Sequence, residues 1–244
     1  MIFDIAEERV VVVSDLHLGS PGSLAIDHLP AFFDEVAESG ASLCINGDGF
    51  DLLQSSTSGL AVAGFPVLRQ LQELAHDGLR IYYTLGNHDM VLEHVLFDLP
   101  FVVTPFLNLR SGDRLIRVEH GHVYEPFYAR YPGIYEMGGR LGRLALLARA
   151  DTYELWARAQ LKIDDRRRRN GSTRPYPHHA AAGALFQRGF DAVVFGHTHR
   201  PELTELPGGT FVNGGDWMHR RTVVRIEEGE LSLQEWSPSA RSYD

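Results

Sequence analysis

Five short motifs rich in metal-binding side chains occur along the chain, and each directly follows a run of residues that predicts a β-strand. If the ends of these strands meet at one edge of a sheet, they bring seven ligand side chains into a small space. Seven ligands exceed the needs of one ion and suit two. The motifs are Asp15-Leu16-His17, Gly47-Asp48, Gly86-Asn87-His88-Asp89, His120-Gly121-His122 and Gly196-His197-Thr198-His199.

The segments between the motifs alternate between strand-like and helix-like patterns. Continuous apolar runs predict strands at 9–14, 42–46 and 80–85, and apolar residues at helical spacing predict a helix over 27–39. This alternation indicates a fold of α/β layers. Two further strands, at 211–213 and 222–226, follow the last motif, and we expect them to be antiparallel.

Composition narrows the class of protein. A chain of 244 residues can bury one sizeable core, and it contains no apolar run long enough to span a bilayer. Its first residues include an acid and no basic group, so a signal peptide is not expected. The single cysteine, Cys44, lies in an apolar run and is expected to be buried and reduced. These features predict a cytoplasmic protein.

The net charge of −9 is unevenly distributed. Residues 126–180 contain 11 Arg and Lys against 5 Asp and Glu, whereas the rest of the chain contains 12 against 27. The acidic part suits cation binding, and the basic segment suits an anionic substrate or peripheral contact with the inner face of an anionic membrane. The overall acidity argues against nucleic acid as a stable partner.

The basic segment also interrupts the strand–helix alternation. Its apolar residues recur at helical spacing, and it ends in a run of four arginines at 166–169. We therefore predict a core formed by residues 1–125 and 174–236, an inserted helical cap at 126–173, and a tail at 237–244. The arginines are typical of a solvated helix end, but their number strengthens a role in binding phosphate, because guanidinium matches phosphate geometry. The candidates for this role are Arg140, Arg143, Arg158 and Arg166.

Taken together, the five motifs resemble those of the calcineurin-like metallophosphoesterase superfamily, which read D-x-H, G-D, G-N-H-[DE], H and G-H-x-H. The resemblance spans residues 15–199. It implies a four-layer α/β/β/α sandwich with two divalent metal ions at the strand ends. It also implies that one ion is held by Asp15, His17, Asp48 and His199, and that Asp48 bridges to a second ion held by Asn87, His120 and His197.

The same resemblance implies a mechanism. A metal-bridging hydroxide attacks the phosphorus atom, and His88 donates a proton to the leaving group or stabilises the phosphoryl charge. Asp89 orients His88 by accepting its other N–H. Mixed carboxylate and imidazole ligands suit Mn²⁺, Fe or Zn, and of these we expect Mn²⁺. Two nearby residues have two interpretations each. Asp51 would either hydrogen-bond a ligand or cap a helix, and His122 would either contact substrate or lie in a solvated loop.

Within the superfamily, the chain resembles the UDP-2,3-diacylglucosamine diphosphatases. The shared features are the D-L-H motif, a helical insertion after His120, and a late Gly215-Asp216-Trp217 turn. This resemblance implies a lipid-linked nucleotide as substrate and hydrolysis of a pyrophosphate bond. Two positions depart from that group, whose best-known members carry Arg in place of His88 and Asp in place of His122.

Those departures leave alternatives. A broad-specificity phosphodiesterase or nucleotide phosphatase would share the metal ligands and the proton donor. A non-catalytic binding scaffold of the same fold would be expected to have lost ligands, and none of the seven ligand positions is lost here.

Overall fold

The computed structural model describes residues 4–20, 27–52, 55–90, 92, 100–131 and 176–238. Most of the predicted cap, from residue 132 onward, lies outside these ranges, as do residues 239–244 of the predicted tail. Within the described ranges, no helix combines the length and the apolar character that crossing a membrane requires.

The first sheet has six strands in the order β12-β11-β2-β3-β4-β5. Strands β2 to β5 are parallel, with Val12 opposite Cys44 and Ile45 opposite Tyr83, and β11 closes onto β2 in the antiparallel direction. Parallel strands covered on both faces are continuously apolar, which is the pattern of β2 and β3. The strands are β2 (Arg9–Val13), β3 (Ser42–Asn46), β4 (Ile81–Thr84), β5 (Val102–Thr104), β11 (Thr222–Glu227) and β12 (Glu230–Glu235).

The second sheet also has six strands, in the order β1-β6-β7-β8-β10-β9. Its central strands β7 and β8 are parallel to each other, with Val118 opposite Val194. The strands are β1 (Asp4–Ala6), β6 (Leu107–Ser111), β7 (Arg114–Val118), β8 (Ala192–Phe195), β9 (Glu202–Leu206) and β10 (Gly209–Asn213).

The two sheets pack face to face, and helices cover their outer faces. Because side chains alternate between the faces of a strand, Val10 and Val12 of β2 point to the second sheet, whereas Val11 and Val13 point to the helices. Helices α1 (Leu29–Ser39) and α2 (Thr57–His76) cover the first sheet. The helix Pro177–Phe186, numbered α4 here after the short α3 (Pro126–Arg130), covers the second. The predicted four-layer α/β/β/α fold is confirmed.

Local sequence explains where the helices begin and end. In α1 the residues Leu29, Phe32, Phe33 and Val36 are buried at helical spacing, and the helix ends at Gly40, whose φ of 70° is readily adopted only by glycine. Helix α2 is capped by the preceding residue, Ser56, whose hydroxyl accepts a hydrogen bond from the backbone N–H of Gly59 at 3.0 Å.

Two expectations about the strands are corrected in part. The strand ends that carry the motifs belong to two sheets, since β2, β3 and β4 lie in the first and β7 and β8 in the second. Face-to-face packing still brings both sets of ends to one side of the sandwich, because one interior layer of side chains separates the sheets. The expectation that the two late strands are antiparallel is confirmed for β11 and for the pairing of β10 with β9, whereas β10 pairs with β8 in the parallel direction.

Candidate metal centre

Each of the seven predicted ligands lies just beyond the carboxyl end of a strand. Asp15 and His17 follow β2, and Asp48 follows β3. Asn87 follows β4, His120 follows β7, and the pair His197 and His199 follows β8. The side chains are buried or nearly so, and bulk water therefore competes little with them for a cation.

The backbone at these positions is unusual. Asp15, His17, Asp48, His197 and His199 all have positive φ, between 45° and 68°. Residues other than glycine rarely adopt this left-handed conformation, and such strain is retained where the surrounding structure enforces it, often at functional sites. Enforcement is visible here, because the N–H of Asp15 donates to the carbonyl of Gly47 at 3.1 Å and that of His17 to the carbonyl of Asp48 at 2.9 Å.

The first cluster joins Asp15, His17 and His199, whose ligand atoms all lie within 4.8 Å of one another. His199 Nε2 is 3.2 Å from Asp15 Oδ1 and 3.4 Å from His17 Nε2. Two imidazole nitrogens and a carboxylate oxygen that face each other at these distances fit ligands of a shared divalent cation.

The second cluster joins Asp48, His120 and His197, again within 4.8 Å. His120 Nε2 is 3.1 Å from Asp48 Oδ2, and the latter atom is also 3.8 Å from His17 Nε2 of the first cluster. Asp48 therefore belongs to the second cluster and also approaches the first, as a bridging ligand must.

Asn87 lies between two residues that contact Asp48, and its amide is consistent with a ligand role. Its neighbours both approach Asp48, because the N–H of His88 donates to Asp48 Oδ1 at 2.9 Å and Gly86 packs directly against the same carboxylate. Both polar atoms of the Asn87 side chain are buried and have no hydrogen-bond partner within the described residues. A buried amide without partners costs free energy, and coordination of a cation by its oxygen would offset that cost.

The carboxylates and imidazoles of the two clusters shift one another's pKa values. Burial raises the pKa of Asp15 and of Asp48, but the nearby imidazoles outweigh it, chiefly His199 and His120 for Asp15 and His120 and His88 for Asp48, and hold both pKa values well below the usual range. Burial lowers the pKa of His120, yet Asp48 and Asp15 raise it to about 10. Both carboxylates are therefore ionised, as ligands of a divalent cation must be.

The second nitrogens of two ligand histidines are also occupied. His120 Nδ1 lies 2.9 Å from the carbonyl oxygen of Asn46, which leaves Nε2 toward Asp48. His197 Nε2 lies 2.9 Å from Oε2 of Glu125, a residue that the sequence did not single out. The hydrogen bond to His197 lowers the pKa of Glu125, and burial lowers the pKa of His197, so the ring is neutral beside an ionised carboxylate.

His88 is oriented by Asp51. His88 Nδ1 is 2.9 Å from Asp51 Oδ1, and the other carboxylate oxygen of Asp51 is 4.0 Å from His17 Nδ1. Burial lowers the pKa of His88, but Asp48 and Asp51 outweigh it and raise the pKa to about 9. Of the two interpretations of Asp51, the structure favours contact with the site, since the residue that caps α2 is Ser56.

The predicted contact between Asp89 and His88 is wrong. The Asp89 carboxylate instead accepts hydrogen bonds from the N–H groups of Gly86 at 2.7 Å and Gly49 at 2.8 Å and from the Tyr83 hydroxyl. These donors belong to the loops after β3 and β4 and to β4 itself, so Asp89 fastens the two loops that carry Asp48 and Asn87. Such a tertiary arrangement leaves no signal in the spacing of the motif.

The profile of the calcineurin-like phosphoesterase family matches residues 8–201, which include all seven ligand positions. The chain belongs to the calcineurin-like phosphoesterase family. It is a metal-dependent phosphoesterase, and divalent metal ions are the cofactors that the family and the two clusters indicate.

Relatives of this calcineurin-like phosphoesterase carry a more specific name. The UDP-2,3-diacylglucosamine hydrolase of Stenotrophomonas maltophilia K279a is 26% identical, with 91% of this chain and 96% of that protein aligned. The enzyme of the same name from Pseudomonas syringae is 27% identical over 92% and 94% of the two chains. Among solved structures, the Escherichia coli phosphoesterase Yfce aligns with a TM-score of 0.49 and 19% identity, over 92% and 91% of the two chains.

The predicted substrate contacts of the phosphoesterase lie at the border of the described residues. His122 is buried beside His120, and its ring meets that of Tyr128 edge to face at 4.9 Å. Burial and the neighbouring His120 lower the pKa of His122 to about 3, so its imidazole is neutral. The solvated-loop interpretation of His122 is therefore wrong, because burial of the ring excludes it. Arg140, Arg143, Arg158 and Arg166 lie outside the described ranges.

Proposed function

We propose that this phosphoesterase hydrolyses the pyrophosphate bond of a lipid-linked nucleotide of the UDP-2,3-diacylglucosamine type. The observation that carries the proposal is the alignment with UDP-2,3-diacylglucosamine hydrolases over nearly the full length of both proteins, not over the shared motifs alone. The complete and buried ligand set is consistent with an active member of the family.

In this proposal Asp15, His17, Asp48 and His199 hold one cation. Asp48 also reaches the second, which Asn87, His120 and His197 complete. Mn²⁺ is the proposed ion, because carboxylate, amide and imidazole donors suit it and no thiolate is among the ligands. When bound, the two cations polarise the phosphoryl oxygens and supply an activated water at neutral pH.

The protein's own proton donor in this proposal is His88. Asp51 holds the ring through Nδ1, which leaves Nε2 as the nitrogen that can give its proton to the departing oxygen. In the metal-free protein Asp48 and Asp51 raise the pKa of His88, and the Asp51 carboxylate at Nδ1 stabilises the protonated ring. Asp89 contributes indirectly, because it fastens the loops that carry Asp48 and Asn87.

Substrate recognition is assigned to the basic segment and its neighbour His122. Its arginines would bind the anionic nucleotide, and its apolar positions would accommodate acyl chains. We place the enzyme in the cytoplasm, with this segment in peripheral contact with the inner face of the membrane. The substrate-binding arginines in this proposal are Arg140, Arg143, Arg158 and Arg166.

A second candidate, a broad-specificity phosphodiesterase, is favoured by one observation. His88 is paired with a buried carboxylate, as a general acid for varied leaving groups requires. A single experiment separates the two candidates. Metal-free protein reloaded with Mn²⁺ is assayed on UDP-2,3-diacylglucosamine and on bis-p-nitrophenyl phosphate. Rapid turnover of the lipid nucleotide with weak activity on the small diester supports the first proposal, and turnover of the small diester alone supports the second.

A further inference from the structure

The carboxylate of Glu125 contacts a metal ligand from outside the ligand set. Its Oε2 lies 2.9 Å from Nε2 of His197, in a pair whose imidazole is almost fully buried and whose carboxylate is 35% exposed. No motif of the family accounts for Glu125, because it lies five residues beyond His120 and follows the short turn His122–Tyr124.

The turn that carries Glu125 is firmly attached to the second sheet. Gly121 begins it with a φ of 92°, and the hydroxyl of Tyr124 donates to Glu119 Oε1 at 2.7 Å. The Tyr124 ring also stacks on Phe195, the last residue of β8, at 5.4 Å between centroids. Because His197 follows β8 by two residues, this packing places Glu125 beside His197.

A second predicted ligand histidine, His120, shows what such a contact does. The ring of His120 is held through Nδ1 by the Asn46 carbonyl, so its Nε2 is the nitrogen that faces Asp48. A metal-binding histidine commonly donates its second N–H to a carboxylate or carbonyl, which fixes both the tautomer and the ring orientation. At His197 the same logic applies with the nitrogens exchanged.

We propose that Glu125 is a positioning residue of the second metal site, which accepts the Nε2–H of His197 and thereby makes Nδ1 the nitrogen that binds the cation. This inference rests on the assignment of His197 as a ligand under the proposed function. Removal of such an outer carboxylate weakens metal affinity or activity about 10- to 100-fold in comparable sites.

The chain contains a matched control pair. Glu202 Oε1 lies 3.0 Å from Nε2 of His179, and its side chain is 37% exposed, so the distance and the exposure of the carboxylate match those of the Glu125 pair. His179 belongs to neither metal cluster. Loss of the Glu202 carboxylate therefore reproduces the loss of a half-exposed charge and of a histidine contact without a metal ligand.

The affinity test titrates metal-free protein with Mn²⁺ by calorimetry and compares the wild type with Glu125→Ala, Glu125→Gln and Glu202→Ala. We expect Glu125→Ala to weaken one of two Mn²⁺ sites about 10- to 100-fold, Glu125→Gln to weaken it less because its amide oxygen still accepts, and Glu202→Ala to change neither site by more than about twofold. Equal affinities in Glu125→Ala and the wild type would overturn the proposal. So would an equal loss at both sites together with a lowered melting temperature of the apoprotein.

The tautomer is read directly by long-range ¹H–¹⁵N spectra of histidine-labelled protein loaded with Zn²⁺. The proposal predicts a proton on Nε2 of His197 and metal on Nδ1, whereas a proton on Nδ1 would show that Glu125 and Nε2 share the cation and would overturn it.

The variant His197→Ala distinguishes an error in the assignment of His197 as a ligand from an error in the role of Glu125. If that variant keeps both metal affinities, the proposed ligand assignment fails. If it loses one while Glu125→Ala does not, only the role of Glu125 fails.

Discussion

The pair formed by His88 and Asp51 can be tested as a unit. If Asp51 acts by holding and charging the His88 imidazole, then the effect of removing Asp51 should disappear once His88 is gone. His88→Ala, Asp51→Asn and the double variant form the required cycle. Asparagine is chosen because it preserves the shape of a fully buried side chain and removes only its charge.

The structure sets the expected magnitudes. Loss of a general acid reduces turnover about 10²- to 10⁴-fold. Replacing the charged acceptor at 2.9 Å by a neutral amide costs about 1 to 2 kcal/mol, which corresponds to a reduction of about 5- to 30-fold. The double variant should be no slower than His88→Ala, because the two effects share one ring.

The assay compares kcat for diphenyl phosphate and bis-p-nitrophenyl phosphate at saturating Mn²⁺. Phenolate is the poorer leaving group, so both single variants should lose more on diphenyl phosphate. Glu202→Gln, which changes a similar carboxylate–imidazole pair, should retain wild-type kcat. Equal losses on the two substrates, or losses that multiply in the double variant, would refute the role of His88 as an acid held by Asp51.

Four further perturbations follow from the geometry. Asp48→Ala should remove both metals and nearly all activity, measured by elemental analysis and turnover; substantial activity would sink the two-metal arrangement. Gly86→Ala should weaken metal binding, since the added Cβ would lie against the Asp48 carboxylate and backbone, and an unchanged calorimetric titration would contradict this. In metal-free protein the raised pKa values of His88 and His120, about 9 and about 10, favour the protonated folded state. That stabilisation is complete below about pH 6.5 and is lost as pH rises toward 9 to 10. The melting temperature of the apoprotein should therefore fall over this range, and that of the Mn²⁺ form should fall much less. Parallel melting curves for the two forms would contradict this prediction. Alanine at the four cap arginines should raise KM for the lipid nucleotide, and an unchanged KM would assign them to solvation; the positions are Arg140, Arg143, Arg158 and Arg166.

The sequence predicted the positions of the site better than its internal contacts. The buried strands before the motifs were evident because a continuous apolar run is a local signal. Strand β3 occurs at the predicted residues, and β2 ends one residue before its predicted end. The polar residues that follow these strands come close together because the carboxyl ends of the strands lie on the same side of the sandwich. The short strands β1 and β5 and the partly exposed strands β6, β9 and β12 were not predicted, because their pairing partners give them their structure.

Contacts between side chains of different loops could not be predicted from the sequence. Asp89 is adjacent to His88 in the chain, yet its carboxylate is used by Gly86, Gly49 and Tyr83. Asp51 reaches His88 because the loop after β3 folds over that after β4. Glu125 reaches His197 through a turn held on β8. None of these arrangements has a spacing that a motif could reveal.

The central claim is that two cations, bridged by Asp48, are needed for phosphoester hydrolysis. The most direct measurement titrates metal-free protein with Mn²⁺ and records bound metal by elemental analysis and hydrolysis of bis-p-nitrophenyl phosphate at each step. We predict a plateau at two equivalents of bound metal, with activity that rises mainly as the second equivalent binds. Full activity at one bound equivalent, or a plateau at one, would contradict the dinuclear centre.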